Sequence, residues 1–101
     1  MNESTIRDDK IEQAREGVFW VCNHLRRIRL NIQIADNEIG AACQALRHAG
    51  IDEAKELDAR LVCQFETRAA LAVEEMYAAV ALRAVEENYA RRVLSATGDA
   101  N

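Results

Sequence analysis

The chain contains no proline and only four glycines. Without proline, nothing fixes φ or removes a backbone donor inside a helix, and so few glycines interrupt little. Aromatic residues are scarce as well: one Trp, two Tyr and two Phe. No stretch approaches the roughly 18 uninterrupted apolar residues of a membrane-spanning helix. Residues 1–10 carry Glu3, Arg7, Asp8, Asp9 and Lys10, too much charge for a signal peptide. Histidine occurs twice and cysteine three times, with no CxxC. An odd count without that spacing points to free thiols in a reducing cytoplasm rather than a disulfide framework. An excess of basic charge is also missing, since the net charge is −4. Residues 1–50 balance at seven acids and seven bases, and residues 51–101 carry ten acids against six bases. That distribution is not the basic footprint of a nucleic-acid binder.

What is present favours helix. Of 101 residues, eighteen are Ala, and Leu, Glu and Arg are also plentiful. Ile11, Ala14, Val18, Val21, Leu25, Ile28, Ile32, Ala35, Ile39, Ala42 and Leu46 recur at steps of three and four without a miss. Five repeats of this spacing form a heptad a/d seam. It predicts one helix over about 4–48, roughly 65 Å long at ~1.5 Å per residue. Gly50 is the expected stop, preceded by the cations Arg47 and His48. Asp52 is then the expected N-cap, with Glu53 in the first turn. The turn covers about 49–52, a second helix runs over about 52–96 to a stop at Gly98, and residues 97–101 fray. The fold class that follows is all-α: a single domain forming a long, coiled-coil-like antiparallel hairpin that dimerises into a four-helix bundle.

A period-two signal competes at residues 27–35, where Ile28, Leu30, Ile32 and Ile34 alternate with polar residues. A strand here would have nothing in its own chain to pair with. It would also break the heptad seam through Ile28 and Ile32. Helix is therefore the expectation, with a strand paired across a dimer two-fold as the alternative.

The second helix offers two apolar stripes. The first, Ala54, Leu57, Leu61, Phe65, Ala69, Ala72, Met76 and Val80, is expected to face inward. The second comprises Leu71, Ala78, Leu82, Val85 and Tyr89. Two stripes on one helix imply two neighbours, or one neighbour and a ligand. The first helix likewise carries Phe19, Trp20, Leu30 and Ile34 off its seam. Folding the hairpin about Gly50 sets residues whose numbers add to about 101 at one height. The extra rows of both helices then fall together, away from the turn. The expected partner-binding patch is Phe19, Trp20, Arg27, Leu30, Ile34, Leu71, Leu82 and Tyr89, because exposed apolar patches with Trp, Tyr and Arg mark interfaces. The expected partners are a second copy of the chain and another protein, with no membrane.

Catalytic and metal chemistry find little support. Cys22 and Cys43 are three heptads apart, about 30 Å along a helix, and Cys63 sits more than a turn from Cys43. All three read as small buried or half-buried thiols. Neither His24 nor His48 follows a Glu by three residues, which removes the Glu-x-x-His pattern of di-iron bundles. No Gly-rich phosphate loop, GxSxG or HExxH occurs. The expectation is a protein that is not an enzyme and has no cofactor or metal: a small adaptor, chaperone or inhibitor working through its apolar patch. One alternative is a small-molecule or metal-binding bundle with a site between protomers, near Trp20, Cys22 and His24. Another is a weak nucleic-acid binder using Arg26, Arg27 and Arg29. Those arginines are better matched to Glu residues of the neighbouring helix. In a helix-turn-helix reading of residues 44–61, Glu56 and Asp58 would repel phosphate.

Overall fold

The computed structural model describes residues 3–98, and the side chains of 5–97. Two helices account for it: α1 over Glu3–Leu46 and α2 over Ile51–Gly98, joined as an all-α hairpin. Residues 27–35 lie inside α1, so the heptad signal prevails over the period-two one. The helix also runs through Gly17 and Gly40 without a break. Residues 99–101, part of the expected frayed tail, lie outside the described residues.

The turn differs in detail from expectation. α1 ends at Leu46 and closes with tighter bonds, His48 N–H to Ala45 O at 3.2 Å and Ala49 N–H to Leu46 O at 3.4 Å. Arg47 and His48 therefore follow the helix rather than complete it. The Gly50 carbonyl accepts the Ala54 N–H at 2.8 Å, the first bond of α2. Gly50, not Asp52, is thus the N-cap, a position that glycine fills well. Asp52 and Glu53 lie in the first turn, where carboxylates suit the positive end of the helix. No described glycine has positive φ, so the turn does not depend on left-handed backbone.

Packing divides the chain into two units, 27–76 and 1–26 with 77–101. In the first, α1 contributes Ile28, Ile32, Ala35 and Ala42 to the core, and α2 contributes Leu57 and Leu61. In the second, Ala14 and Leu25 of α1 are buried with Ala78 of α2. All eleven seam positions expected on α1 are buried or half-buried.

On α2 the expectation fails beyond Leu61. The side chains turned inward are Ala54, Leu57, Leu61, Gln64, Arg68, Leu71, Glu75, Ala78, Leu82, Val85 and Tyr89, all buried or half-buried. Their steps alternate three and four throughout, so the seam is an unbroken heptad run that accepts three polar residues. Phe65, Ala69, Met76 and Val80, expected inside, are exposed.

Two of the polar seam residues are matched across the hairpin. Arg68 donates to Asp36 Oδ1 at 2.7 Å, and Arg29 donates to Glu75 Oε2 at 3.2 Å. Both pairs are partly solvated, which holds each to the order of 0–1 kcal/mol. In both, the residue numbers add to 104, so the helices are offset by three residues from the 101 expected.

Gly40 is exposed, and a Cβ built on it meets nothing within 4 Å. Gly40→Ala should therefore raise stability by about 0.5–1 kcal/mol, because alanine restricts the unfolded chain without a clash. A shift in the urea midpoint at unchanged slope is the expected reading; no shift would mean that the helix bends at Gly40 in solution.

Candidate interaction surface

A two-helix hairpin can bury one stripe of each helix, and whatever apolar residues remain must face outward. Among the described residues, no side chain is fully enclosed, and thirteen large apolar side chains are exposed.

In the unit of 1–26 and 77–101, Phe19 and Trp20 are 61% and 67% exposed. Their rings meet edge to face, with centroids 6.0 Å apart at 76°. Tyr77, Val80 and Leu94 of α2 are exposed in the same unit. Leu82 and Tyr89, expected in the partner patch, are half-buried in the seam instead. The Arg15 guanidinium is held above its ordinary pKa, chiefly by its hydrogen bond to Glu12 and with a smaller contribution from Tyr89. It pairs with Glu12 at 2.7 Å.

In the unit of 27–76, Leu30, Ile34 and Arg27 are exposed, as expected, and Leu71 is half-buried in the seam. The five α1 members of the expected patch therefore face solvent, while the three α2 members pack against α1. The patch does not form across both helices as expected, because its α2 side is the intrachain seam.

Phe65 and Met76, expected on the inward face of α2, face outward instead, and Val62 and Val73, outside that expectation, are exposed with them. Val62, Phe65, Val73 and Met76 are exposed on α2, at 50–68%. The signal was legible: extending 54, 57, 61 by three and four leads through Gln64 and Arg68. The apolar Phe65 beside Gln64 draws a hydrophobicity-led path onto the neighbouring stripe. Helical spacing of about 100° per residue also places these rows apart. Phe65 and Met76 share the flank of the Arg29–Glu75 and Asp36–Arg68 pairs, whereas Ile34 lies on the opposite flank of α1.

The residues considered for chemistry do not converge. Cys22 is half-buried, and Cys43 and Cys63 are exposed free thiols, not core residues. His24 is exposed beside Trp20. Among the described residues, no group of three or more His, Cys, Asp or Glu is placed to hold a metal. Of the three arginines considered for phosphate, Arg29 pairs with Glu75, while Arg26 and Arg27 are exposed. Among the described residues, no helix is long and apolar enough to cross a membrane.

A shallow pocket of about 150 Å³ lies in the unit of 27–76, lined by Ala35, Glu38, Arg60, Cys63, Gln64 and Thr67. Gln64 Oε1 is buried there with no hydrogen-bond partner. An unpaired buried carbonyl costs stability, so Gln64→Leu should stabilise the chain by about 1 kcal/mol. Unchanged or lower stability on urea unfolding would mean that Gln64 is hydrogen-bonded in solution.

No known family, no curated protein and no solved structure matches the chain.

Proposed function

We propose that the chain is a non-catalytic interaction module, a helical hairpin that binds proteins, its own copy included, by burying apolar helix surface. The observation that carries this reading is the unfinished core. The molecule exposes 7783 Å², about 2,000 Å² more than the roughly 5,700 Å² expected of a compact monomer of its 11.3 kDa mass. Among the described residues, thirteen large apolar side chains contribute to that surface. Burial is worth about 25 cal/mol per Å² gross, much of it offset by ordering and desolvation.

The Phe19–Trp20 pair, with Arg27, Leu30 and Ile34 along α1, supplies the residue types enriched where binding energy concentrates. An adaptor, a chaperone or an inhibitor would each use such a surface. Three free cysteines, two of them exposed, fit a reducing compartment such as the cytoplasm.

Trp20→Glu tests the reading, because Trp20 makes little of the intrachain core. The variant should keep its helical circular dichroism. It should either lose oligomeric mass by light scattering or, used as bait beside the wild type, lose a protein that the wild type retains. Outright unfolding of the variant would show that Trp20 belongs to the core and would sink this reading, as would unchanged mass and unchanged binding.

A further inference from the structure

The exposed stripe of α2 has a symmetry that identifies its occupant. Lys55, Asp58, Val62, Phe65, Ala69, Ala72, Met76, Ala79, Arg83 and Glu86 follow one another at steps of three and four. They form a second heptad seam on the same continuous helix. It lies about 100° around α2 from the first, the separation needed for a helix to touch two neighbours. Every member is exposed except Ala72 and Ala79, which border the intrachain seam and are half-buried.

Read in both directions, this seam is complementary to itself. Consider two copies of α2 running antiparallel about a two-fold axis beside residues 70 and 71. Ala69 then faces Ala72 of the second copy, Phe65 faces its Met76, and Val62 faces its Ala79. Beyond them Asp58 faces Arg83 of the second copy, and Lys55 faces its Glu86. Apolar residues meet apolar ones in every central layer. Opposite charges meet in both outer layers, and each contact occurs twice. Ala69, Ala70 and Ala72 keep the bulk low at the axis, where the backbones come closest. Phe65 against Met76 brings an aromatic ring to a thioether, a favourable contact.

Other arrangements lose this match. A parallel in-register pair sets Lys55 on Lys55, Asp58 on Asp58, Arg83 on Arg83 and Glu86 on Glu86. Sliding the antiparallel pair by a heptad one way drives Asp58 against Met76. Sliding it the other way drives Arg83 against Phe65. Arg83 is engaged within the chain only by a solvated contact with Glu87 at 3.6 Å, and such pairs exchange at little cost.

We infer that a second copy of this chain occupies the α2 stripe, antiparallel, through Val62, Phe65, Ala69, Ala72, Met76 and Ala79, with Lys55–Glu86 and Asp58–Arg83 closing the ends. This inference rests on the reading of the chain as an interaction module and names one of its partners. It leaves the Phe19–Trp20 row of α1 open for a different protein.

Two complementary charge-exchange variants test the arrangement. One carries Lys55→Glu with Asp58→Lys; the other carries Arg83→Glu with Glu86→Arg. In the antiparallel pair each variant opposes like charges in all four outer layers when it meets its own copy. Mixed together, the two variants oppose opposite charges in all four. Sedimentation equilibrium should show a wild-type dimer, and each variant alone should have a dimer dissociation constant raised about tenfold or more. An equimolar mixture should recover wild-type affinity. Met76→Glu should be monomeric with its helical content retained, since Met76 is 68% exposed in the single chain.

A wild type that stays monomeric at high micromolar concentration would overturn the inference, as would variants that dimerise normally or a mixture that fails to recover. Trp20→Glu separates this failure from failure of the parent reading. If Trp20→Glu becomes monomeric, self-association uses α1 and the α2 inference falls while the module reading stands. If Trp20→Glu remains dimeric, loses as bait a protein that the wild type retains, and the mixture recovers, both stand; if it remains dimeric and loses nothing, the reading of the Phe19–Trp20 row falls while the α2 pairing stands.

Discussion

Everything in this hairpin depends on the fact that two helices bury only one line of contact between them. Each helix can turn a single stripe toward the other, and no third layer covers the remainder. Half of the residues are hydrophobic, so apolar side chains outnumber the places available in the seam. The core that results is shallow: among the described residues, nine apolar ones are buried, and no side chain is fully enclosed. The uninterrupted steps of three and four make the seam possible, and the absence of proline lets them run the length of both helices.

Within that constraint, polar residues set the alignment. Apolar stripes slide past one another at little cost, but an ion pair prefers one offset. Arg68 with Asp36 and Arg29 with Glu75 agree on the same offset. These contacts add little to stability because water screens them. Their effect is to select one alignment from several of similar hydrophobic energy.

The hairpin itself was legible in the sequence because α1 sets apolar residues at eleven successive seam positions, five heptads, without a polar exception. The turn was legible because Gly50 stands alone between two periodic segments, although the cap residue there is Gly50 itself. α2 was harder to read. Its true seam passes through Gln64, Arg68 and Glu75, while the stripe beside it offers Phe65, Ala69 and Met76 at almost the same spacing. A rule that follows hydrophobicity selects the wrong stripe from Leu61 onward. The partners that make a half-buried Arg or Glu acceptable, Asp36 and Arg29, lie on the other helix and cannot be matched until the offset is known. The candidate surface inherited that error. Its α1 half, with Phe19, Trp20, Leu30 and Ile34, is exposed, and its α2 half moved to residues that had been assigned to the core.

The two stripes of α2 have a wider consequence. A helix with two nearly equivalent apolar faces could satisfy α1 with either, by rotating about a quarter turn on its own axis. Gln64, Arg68 and Glu75 place polar groups in the middle of one face, whereas the other keeps its charges, Lys55, Asp58, Arg83 and Glu86, toward its ends, so a few polar atoms decide which side of α2 becomes interior. Drift at those positions would change the identity of the outer face before it changed the helical content. The hairpin could in that way acquire a different surface while keeping its fold.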